Sequence, residues 1–510
     1  MTDAAPTDYA APGSAAGEGA GHEPDDSSGL PDRVIVAAAV VLSSAIVVVP
    51  STRDGGSPLI ARIALLVGCG LLAIGLAPCA RPRRSVIVLS VAALCLLGLV
   101  LGERANRSLL VEAGGPYTGW ARVVDDPRSY RSSTWLLIEI DGDRHEVWLR
   151  RSSQRARAES LQAGEHVMIS GERIALDPDR SARVAWQHTV GELRADWLGD
   201  VVDGGALARS SNRVRALVAD GAALIGAPED ALLRGLVIGD DLEQPPEMIE
   251  RFRRSGLSHL TAVSGQNVTL VLAASSPLLR RLRTRTRLAA TIGLIAWFVM
   301  ITRFEPSILR AGTMAILAAI GAHLGRERSP IRMLALAVIA LVVVDPLITR
   351  SVGLWLSVGA TAGVIGIGPR LQPGLSRLGV LATPVAVTLG AQLGVALPSL
   401  LAFGRLPLIG LLANLLAVPV AGLVMLIGLP ACLLAGLTAS SVPSLGSLIL
   451  APVDLGVRWV DRVAALGDRL EPASPIPGAL VTLVLGGAIL GFARWSGATG
   501  EPRGAMNETA

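Results

Sequence analysis

The stretch His259-Leu260-Thr261-Ala262-Val263-Ser264-Gly265-Gln266-Asn267 places an imidazole, two hydroxyls and two amides inside an otherwise apolar run. Ser307, Arg310, Gln392 and Asn414 interrupt later apolar runs, and Asp240 precedes them all. Two chemistries suit such residues. A serine beside a glycine, with a histidine nearby, is the start of a nucleophile and its base, as in an intramembrane serine protease. That reading fits poorly. Ala262 stands where a GxSG element has its first glycine, and a histidine five residues before the serine does not share its helix face. The other chemistry is transport, of a small solute as in a permease or of a larger polyanion, because polar groups inside bilayer spans are costly and face a bundle interior or a water-filled path. Arg310 is the most expensive of them, and Glu305 just before it is the expected partner if its role is structural. Ser264, Gln392 and Asn414 also suit helix-packing hydrogen bonds. His259, near the outer end of its run, also suits an interfacial position. Gly256, Gly265, Pro306 and Pro398 look like breaks in helical runs, which occur in membranes where backbone lines a cavity.

Several function classes are excluded by composition. All 46 basic residues are arginine, so the chain has neither the lysine of a phosphate-binding P-loop nor a Schiff-base amine. Energy from nucleotide hydrolysis therefore has to come from a partner. Cys69, Cys79, Cys95 and Cys432 lie in apolar runs and form no CxxC pair, and the six histidines are scattered. The expectation is a protein without a metal, a cofactor or an enzymatic activity of its own, and with no disulfide in its soluble segment.

The elements that must position these residues are membrane spans. The 510 residues are 51% hydrophobic, with mean hydropathy +0.52, and apolar runs of span length recur, about 20 residues being needed to cross a bilayer core. They cover 34–50, 58–79 and 85–102, then 256–279, 288–302, 306–324, 331–344, 348–368, 379–403, 406–437 and 476–493. Pro419 and Pro430 are expected to break the 406–437 run into two crossings or a re-entrant pair. Arg81-Pro82-Arg83-Arg84, the arginines at 280–287, those at 326–332 and the pair Arg370 and Arg377 all fall on one side, the cytoplasmic one, if the segment after Leu101 is outside. Beyond residue 403, Arg458, Arg462 and Arg469 are matched by Asp454, Asp461 and Asp468, and the side is unreadable.

Residues 115–200 change character. Trp135 to Ile140 and His145 to Leu149 read as strands around an Asp141-Gly142-Asp143 turn, and Val167 to Ile174 and Arg183 to Trp186 continue the pattern. Several short strands suit a small barrel, and Gly164-Glu165 before a strand followed by Ser170-Gly171 looks like an OB-fold. Trp120, Trp135, Trp148, Trp186 and Trp197 fall here. They could stack nucleic-acid bases or simply fill the core. Arg150, Arg151, Arg155 and Arg157 form the one local basic cluster, in a segment whose arginines do not outnumber its acids.

Ordered blocks of residues resemble one family. Leu236-Val237-Ile238-Gly239-Asp240, Phe252, Gly256-Leu257 and the 259–268 stretch are similar to the signature of ComEC-type competence proteins. Pro306-Ser307-Ile308-Leu309-Arg310-Ala311-Gly312-Thr313-Met314 is similar to that family's PS-x-x-RA-x-x-M element. Asp345-Pro346, Gly353-Leu354-Trp355-Leu356-Ser357, Gln392 with Pro398, and Asn414-Leu415 with Pro419 follow in order. The resemblance covers about 30–440. It implies a channel that moves single-stranded DNA through the inner membrane in natural transformation; Arg310, costly inside a span, would then meet the passing phosphates. Its partners would be a cytoplasmic helicase-like ATPase, a DNA receptor protein, a separate nuclease and membrane lipids. Many members have histidine where this chain has Asn267. Many also end in a metallo-β-lactamase-like domain, for which this chain has no HxHxDH cluster, so the form without that domain is expected.

The fold expected is a polytopic α-helical membrane protein of about 10–12 spans with an inserted extracytoplasmic small β-barrel (OB-like) domain. The expected divisions are a disordered cytoplasmic tail (1–30), N-terminal transmembrane helices (31–104), the OB-like domain (105–205), amphipathic interfacial helices (206–255), the channel core (256–495) and a disordered tail (496–510).

Overall fold

The computed structural model describes residues 31–48, 68–69, 84–109, 114–261, 265–326, 329–404 and 409–471. The expected tails, most of the 58–79 run, the 476–493 run and Ser264 lie outside them. Helices α1 (Asp32–Val48) and α2 (Arg84–Ser108) precede a β domain. It comprises β1 (Gly115–Val123), β2 (Arg128–Ser129), β3 (Thr134–Ile140), β4 (Asp143–Leu149), α3 (Ser152–Glu159), β5 (His166–Ala175), α4 (Pro178–Val184) and β6 (Thr189–Val202). The β3–β4 hairpin forms as read: Asp141 and Gly142 take φ of 53° and 94°, the pair of positive values that a tight two-residue hairpin turn requires. Strands pair in the order β1-β5-β6-β4-β3-β2, and β1 also pairs with β3, through Arg122 with Glu139 and Val123 with Ile138. Only β4 and β6 run parallel. Inward residues at every second position, among them Val123, Leu136, Ile138, Val147, Val167, Ile169 and Leu193, make the core of the domain. Arg183 to Trp186 is not a strand. Asp177-Pro178 starts a helix there, with proline at its first position, and Arg180 folds back onto Glu146 (2.8 Å) and over the Trp148 ring. Trp135 is buried, whereas Trp120 and Trp197 are exposed on the outer face.

The helical part follows as α5 (Ala206–Ala222), α6 (Glu229–Ile238), α7 (Pro246–Arg254), α8 (Ser258–Thr261), α9 (Gly265–Leu279), α10 (Thr284–Ile301), α11 (Pro306–His323), α12 (Pro330–Val344), α13 (Val352–Ala362), α14 (Gly368–Leu371), α15 (Ala382–Phe403), α16 (Gly410–Thr438) and α17 (Pro443–Leu470). Among the described residues, four helical stretches are long and apolar enough to cross a membrane: Leu89–Ser108, Thr284–Ile301, Val352–Phe403 and Gly410–Thr438. Pro330–Val344 is a shorter apolar helix. The chain is thus a mostly helical membrane protein with an inserted β domain. Stretch Val352–Phe403 folds back on itself, because α13 and α15 touch backbone to backbone through glycines. A Cβ on Gly363 would stand 2.0 Å from the carbonyl oxygen of Gly390, and one on Gly394 2.0 Å from that of Gly359. Small residues at four-residue spacing on both helices permit that approach.

Two expectations fail in the bundle. Pro398 does not break its run but lies inside the continuous α15. Helix α16 runs unbroken for 29 residues with Pro419 and Pro430 inside it. Its face of small residues, Ala413, Ala417, Ala421, Gly428, Cys432 and Ala435, is buried along the whole length. That continuous packing outweighs the backbone hydrogen bonds lost at the two prolines. Helices α5 to α7 bury Val218, Leu232, Leu236, Met248 and Phe252 in one core with α16 and α17. The acids of α17 are also used across helices: Asp461 pairs with Arg251 (3.2 Å) and Asp468 with Arg254 (3.1 Å), while Arg458 bridges Asp454 and Glu229.

The β domain rests on one end of the bundle at two seats. At the first, Asp126 meets Arg303, between α10 and α11. At the second, Ala185 packs with Leu347 and Leu109, and His188 Nε2 lies 3.1 Å from Asp345 Oδ2, between α12 and α13. Arginines 280–287 stand at the far end of α10, and Arg326 and Arg332 at the far ends of α11 and α12. Arg332 there holds Asp32 at the start of α1, at 2.5 Å. Among the described residues, which exclude Arg81 to Arg83, these arginines and the β domain therefore occupy opposite ends.

Candidate functional site

Three separated blocks meet at Arg310. Helix α11 begins with Pro306 at its first position, where a missing N–H costs nothing. Arg310, one turn on, is 6% exposed. Its Nε donates to Ser357 Oγ on α13 at 3.0 Å, and Nη1 to Met314 Sδ at 3.2 Å. The third side is Gly265, the first residue of α9: a Cβ there would lie 2.4 Å from Nη2 of Arg310 and 3.0 Å from Ala311 Cβ. Bare backbone is what fits against the guanidinium. Among the described residues no carboxylate pairs with Arg310. The expected partner, Glu305, is directed elsewhere, so among the described residues Arg310 is a buried cation without a counter-ion.

The other residues singled out by sequence separate by role. Asn267 is buried and donates through Nδ2 to the Leu236 carbonyl (3.0 Å), tying α9 to α6. Ser307 stands beside Pro306, half-buried in the first turn of α11. His259 is exposed on α8 and is not brought to Arg310. Gln392 is half-buried on α15, and the Asn414 Oδ1 on α16 is enclosed without a hydrogen-bond partner. Asp240 sits in a clamp, 3.5 Å from Arg215 and 3.6 Å from Arg234. The basic cluster of the β domain is partly consumed as well. Arg155 holds the Tyr130 and Arg131 carbonyls, Arg151 reaches the Asp196 carbonyl, and Arg157 faces Asp200, leaving Arg150 exposed.

Sequence reasoning missed Ser357 as the group that orients Arg310, although it is one of few hydroxyls in an apolar run. It also missed the first seat of the β domain. There Asp126, 8% exposed, accepts from Arg303 Nε (2.9 Å) and Nη2 (2.7 Å) and from the Ala163 amide (2.9 Å), and lies 3.1 Å from Arg215. Burial alone would raise the Asp126 pKa, but Arg215 and Arg303 outweigh it and hold the carboxyl below the ordinary range. Nothing local in the sequence marks these contacts.

Glu305 belongs to the same seat. Burial pushes its carboxyl up to about 7 against Arg128, with Asp125 and Asp241 adding to the rise. A carboxyl whose folded-state pKa is raised keeps a proton that the unfolded chain releases. The packed form is therefore favoured at low pH and loses that advantage as pH climbs from 4.5 to about 7. The thermal midpoint of the purified protein should fall over that window, and Glu305→Gln should flatten the slope; a wild-type slope retained in Glu305→Gln would assign the titration to another group.

The fold and this site define a helical membrane protein with a buried cationic group inside its bundle and a small β domain over one end. Residues 236–497 match the family model described as Competence protein, and the chain belongs to that family. Among curated proteins it is similar to ComE operon protein 3 of Bacillus subtilis (strain 168), 29% identical over 244 residues, 47% of this chain and 30% of the relative. Competence protein ComA of Neisseria gonorrhoeae is 30% identical over 202 residues, 37% of this chain and 28% of the relative. The uncharacterized protein YcaI of Escherichia coli (strain K12) is 28% identical over 207 residues, 38% of this chain and 27% of the relative. Each match thus spans less than a third of the relative's length. No solved structure matches.

Proposed function

We propose that this chain is a multi-pass inner-membrane channel that imports single-stranded DNA during natural transformation. The observation that carries the reading is Arg310, a buried guanidinium that Ser357 orients and that no carboxylate among the described residues neutralises. A permanent charge without a counter-ion in an apolar bundle is expensive, and a passing phosphate is the ligand whose geometry a guanidinium matches. Family membership points the same way, since the matching family is described as Competence protein and one similar protein is named Competence protein ComA. In this reading the β domain faces outward as a small OB-like barrel. Its support is the ring of pairings that returns from β3 to β1, the parallel β4–β6 pair and the helix α3 between β4 and β5. With the cell interior negative, each phosphate moved inward works against about 2.3 kcal/mol per 100 mV. A helicase-like ATPase therefore supplies the work, a DNA receptor presents the strand, and a separate nuclease removes its complement. The chain itself performs no catalysis.

Deletion in a transformable host should abolish transformation by linear DNA while DNA still binds the cell surface; transformants at the parental frequency would overturn the proposal. Its sidedness is tested by cysteines at Arg131 and Arg283, both exposed. An impermeant thiol reagent applied to intact cells should label the first and not the second, and reversed or equal labelling would contradict the topology.

A further inference from the structure

The turn that delivers Arg310 is strained, and the β domain holds it. Helix α10 ends with the Phe304 amide bonded to the Val299 carbonyl (3.0 Å) and the Arg303 amide to the Met300 carbonyl (3.2 Å). This is the pattern that ends helices on a left-handed glycine. Here arginine and phenylalanine occupy the left-handed region, Arg303 at φ 56° and Phe304 at φ 58°, a conformation disfavoured for residues with a Cβ. The Phe304 side chain is 58% exposed, so little packing favours its backbone. What does hold the turn is Arg303, whose guanidinium donates twice to Asp126 of the β domain and to Asn212 Oδ1 at 2.9 Å. Glu305 and Pro306 follow at once, so the setting of this turn fixes the rotation of the first turn of α11 and the direction of Arg310.

We propose that the β domain, through Asp126, holds the Arg303–Phe304 turn in its left-handed form and thereby positions Arg310 against Ser357. Asp126 and Arg303 are positioning residues. What engages the β domain is then transmitted to the interior of the bundle through the Asp126–Arg303 pair and one short turn. The inference rests on the proposed function only in placing Arg310 on the DNA path. The coupling itself can be read without DNA.

Hydrogen exchange on the full chain in lipid nanodiscs separates a strained, held turn from simple adhesion between the two parts. Arg303→Ala and Arg303→Gly both lose the bonds to Asp126, but only alanine keeps the unfavourable backbone, since glycine adopts positive φ freely. Exchange across residues 303–312 should be about tenfold faster in Arg303→Ala than in Arg303→Gly, the ratio expected from relieving one left-handed residue. Asp126→Asn should likewise speed exchange there, leave the second seat around Leu347 unchanged, and be restored by adding Phe304→Gly. Equal rates in the two Arg303 variants would overturn the proposal. So would acceleration at both seats together, or an Asp126→Asn effect that Phe304→Gly does not reverse. Uptake by the same variants is a separate readout, so a failure of the DNA reading is distinguishable from a failure of the coupling.

Discussion

Arg310→Gln protein is expected to reach the membrane at normal abundance and to import DNA roughly tenfold to a hundredfold less well. That range corresponds to losing one charge-assisted contact of about 1.5–3 kcal/mol at about 1.4 kcal/mol per decade. Abundance holds because a buried charge without a counter-ion is a burden on the fold, and exchanging it for a neutral amide removes that burden. The thermal midpoint should therefore stay or rise while uptake falls, a combination that a purely structural arginine would not give. Lysine at the same position should restore part of the uptake, since it keeps the charge without the two-pronged geometry. Gly265→Ala should act in the same direction, because its Cβ would stand 2.4 Å from Arg310 Nη2 and turn the guanidinium away from Ser357. Stable Arg310→Gln protein with normal uptake would remove Arg310 from the path. Loss of abundance in both Arg310→Gln and Ser357→Ala would make the pair a structural bridge.

The second large effect is expected at the seam between α13 and α15, which holds Ser357 in place. Gly363→Ala and Gly394→Ala each put a Cβ 2.0 Å from a carbonyl oxygen of the opposite helix. Backbone cannot step aside as a side-chain tip can, so the helices must part, at a cost of about 3 kcal/mol or more. Thermal stability in detergent should drop clearly for both. Gly293→Ala is the control: nothing lies within 4 Å of its added Cβ, and alanine favours a helix by about 1 kcal/mol over glycine. Equal stability for all three would mean that the two helices do not touch as described.

How much of this could be read beforehand depended on the range of the physics involved. The β3–β4 hairpin was legible because alternation and an Asp-Gly turn are local signals. The division of the bundle into two ends was legible because clusters of arginine recur at the end away from the β domain. Arg310 stood out for the cost of a charge in an apolar run. Its partner did not, since Ser357 is brought to it only by the packing of α11 on α13. Glu305, the nearest acid in sequence, turned out to face the β domain. Likewise Arg183 to Trp186 carried enough β-branched and aromatic character to imitate a strand, while the proline that starts a helix there lay outside the stretch considered. The two prolines of α16 argued for a break, and only the continuous buried face shows why none occurs. The seat at Asp126 joins residues more than 170 positions apart, and no pattern in a single sequence announces such a contact.

On the proposed path DNA passes Arg310. The most direct measurement replaces Met314, whose sulfur lies 3.2 Å from Arg310 Nη1, with a photoreactive phenylalanine analogue, in a transformable host where this chain is the sole member of its family. Labelled DNA is added and the cells are irradiated during uptake. The account predicts a covalent adduct with single-stranded DNA at that position, absent when the analogue replaces Leu448, which is 71% exposed on the outer surface of α17, and absent when DNA is added after irradiation. Active uptake with no adduct at Met314, or equal adducts at both positions, would contradict it.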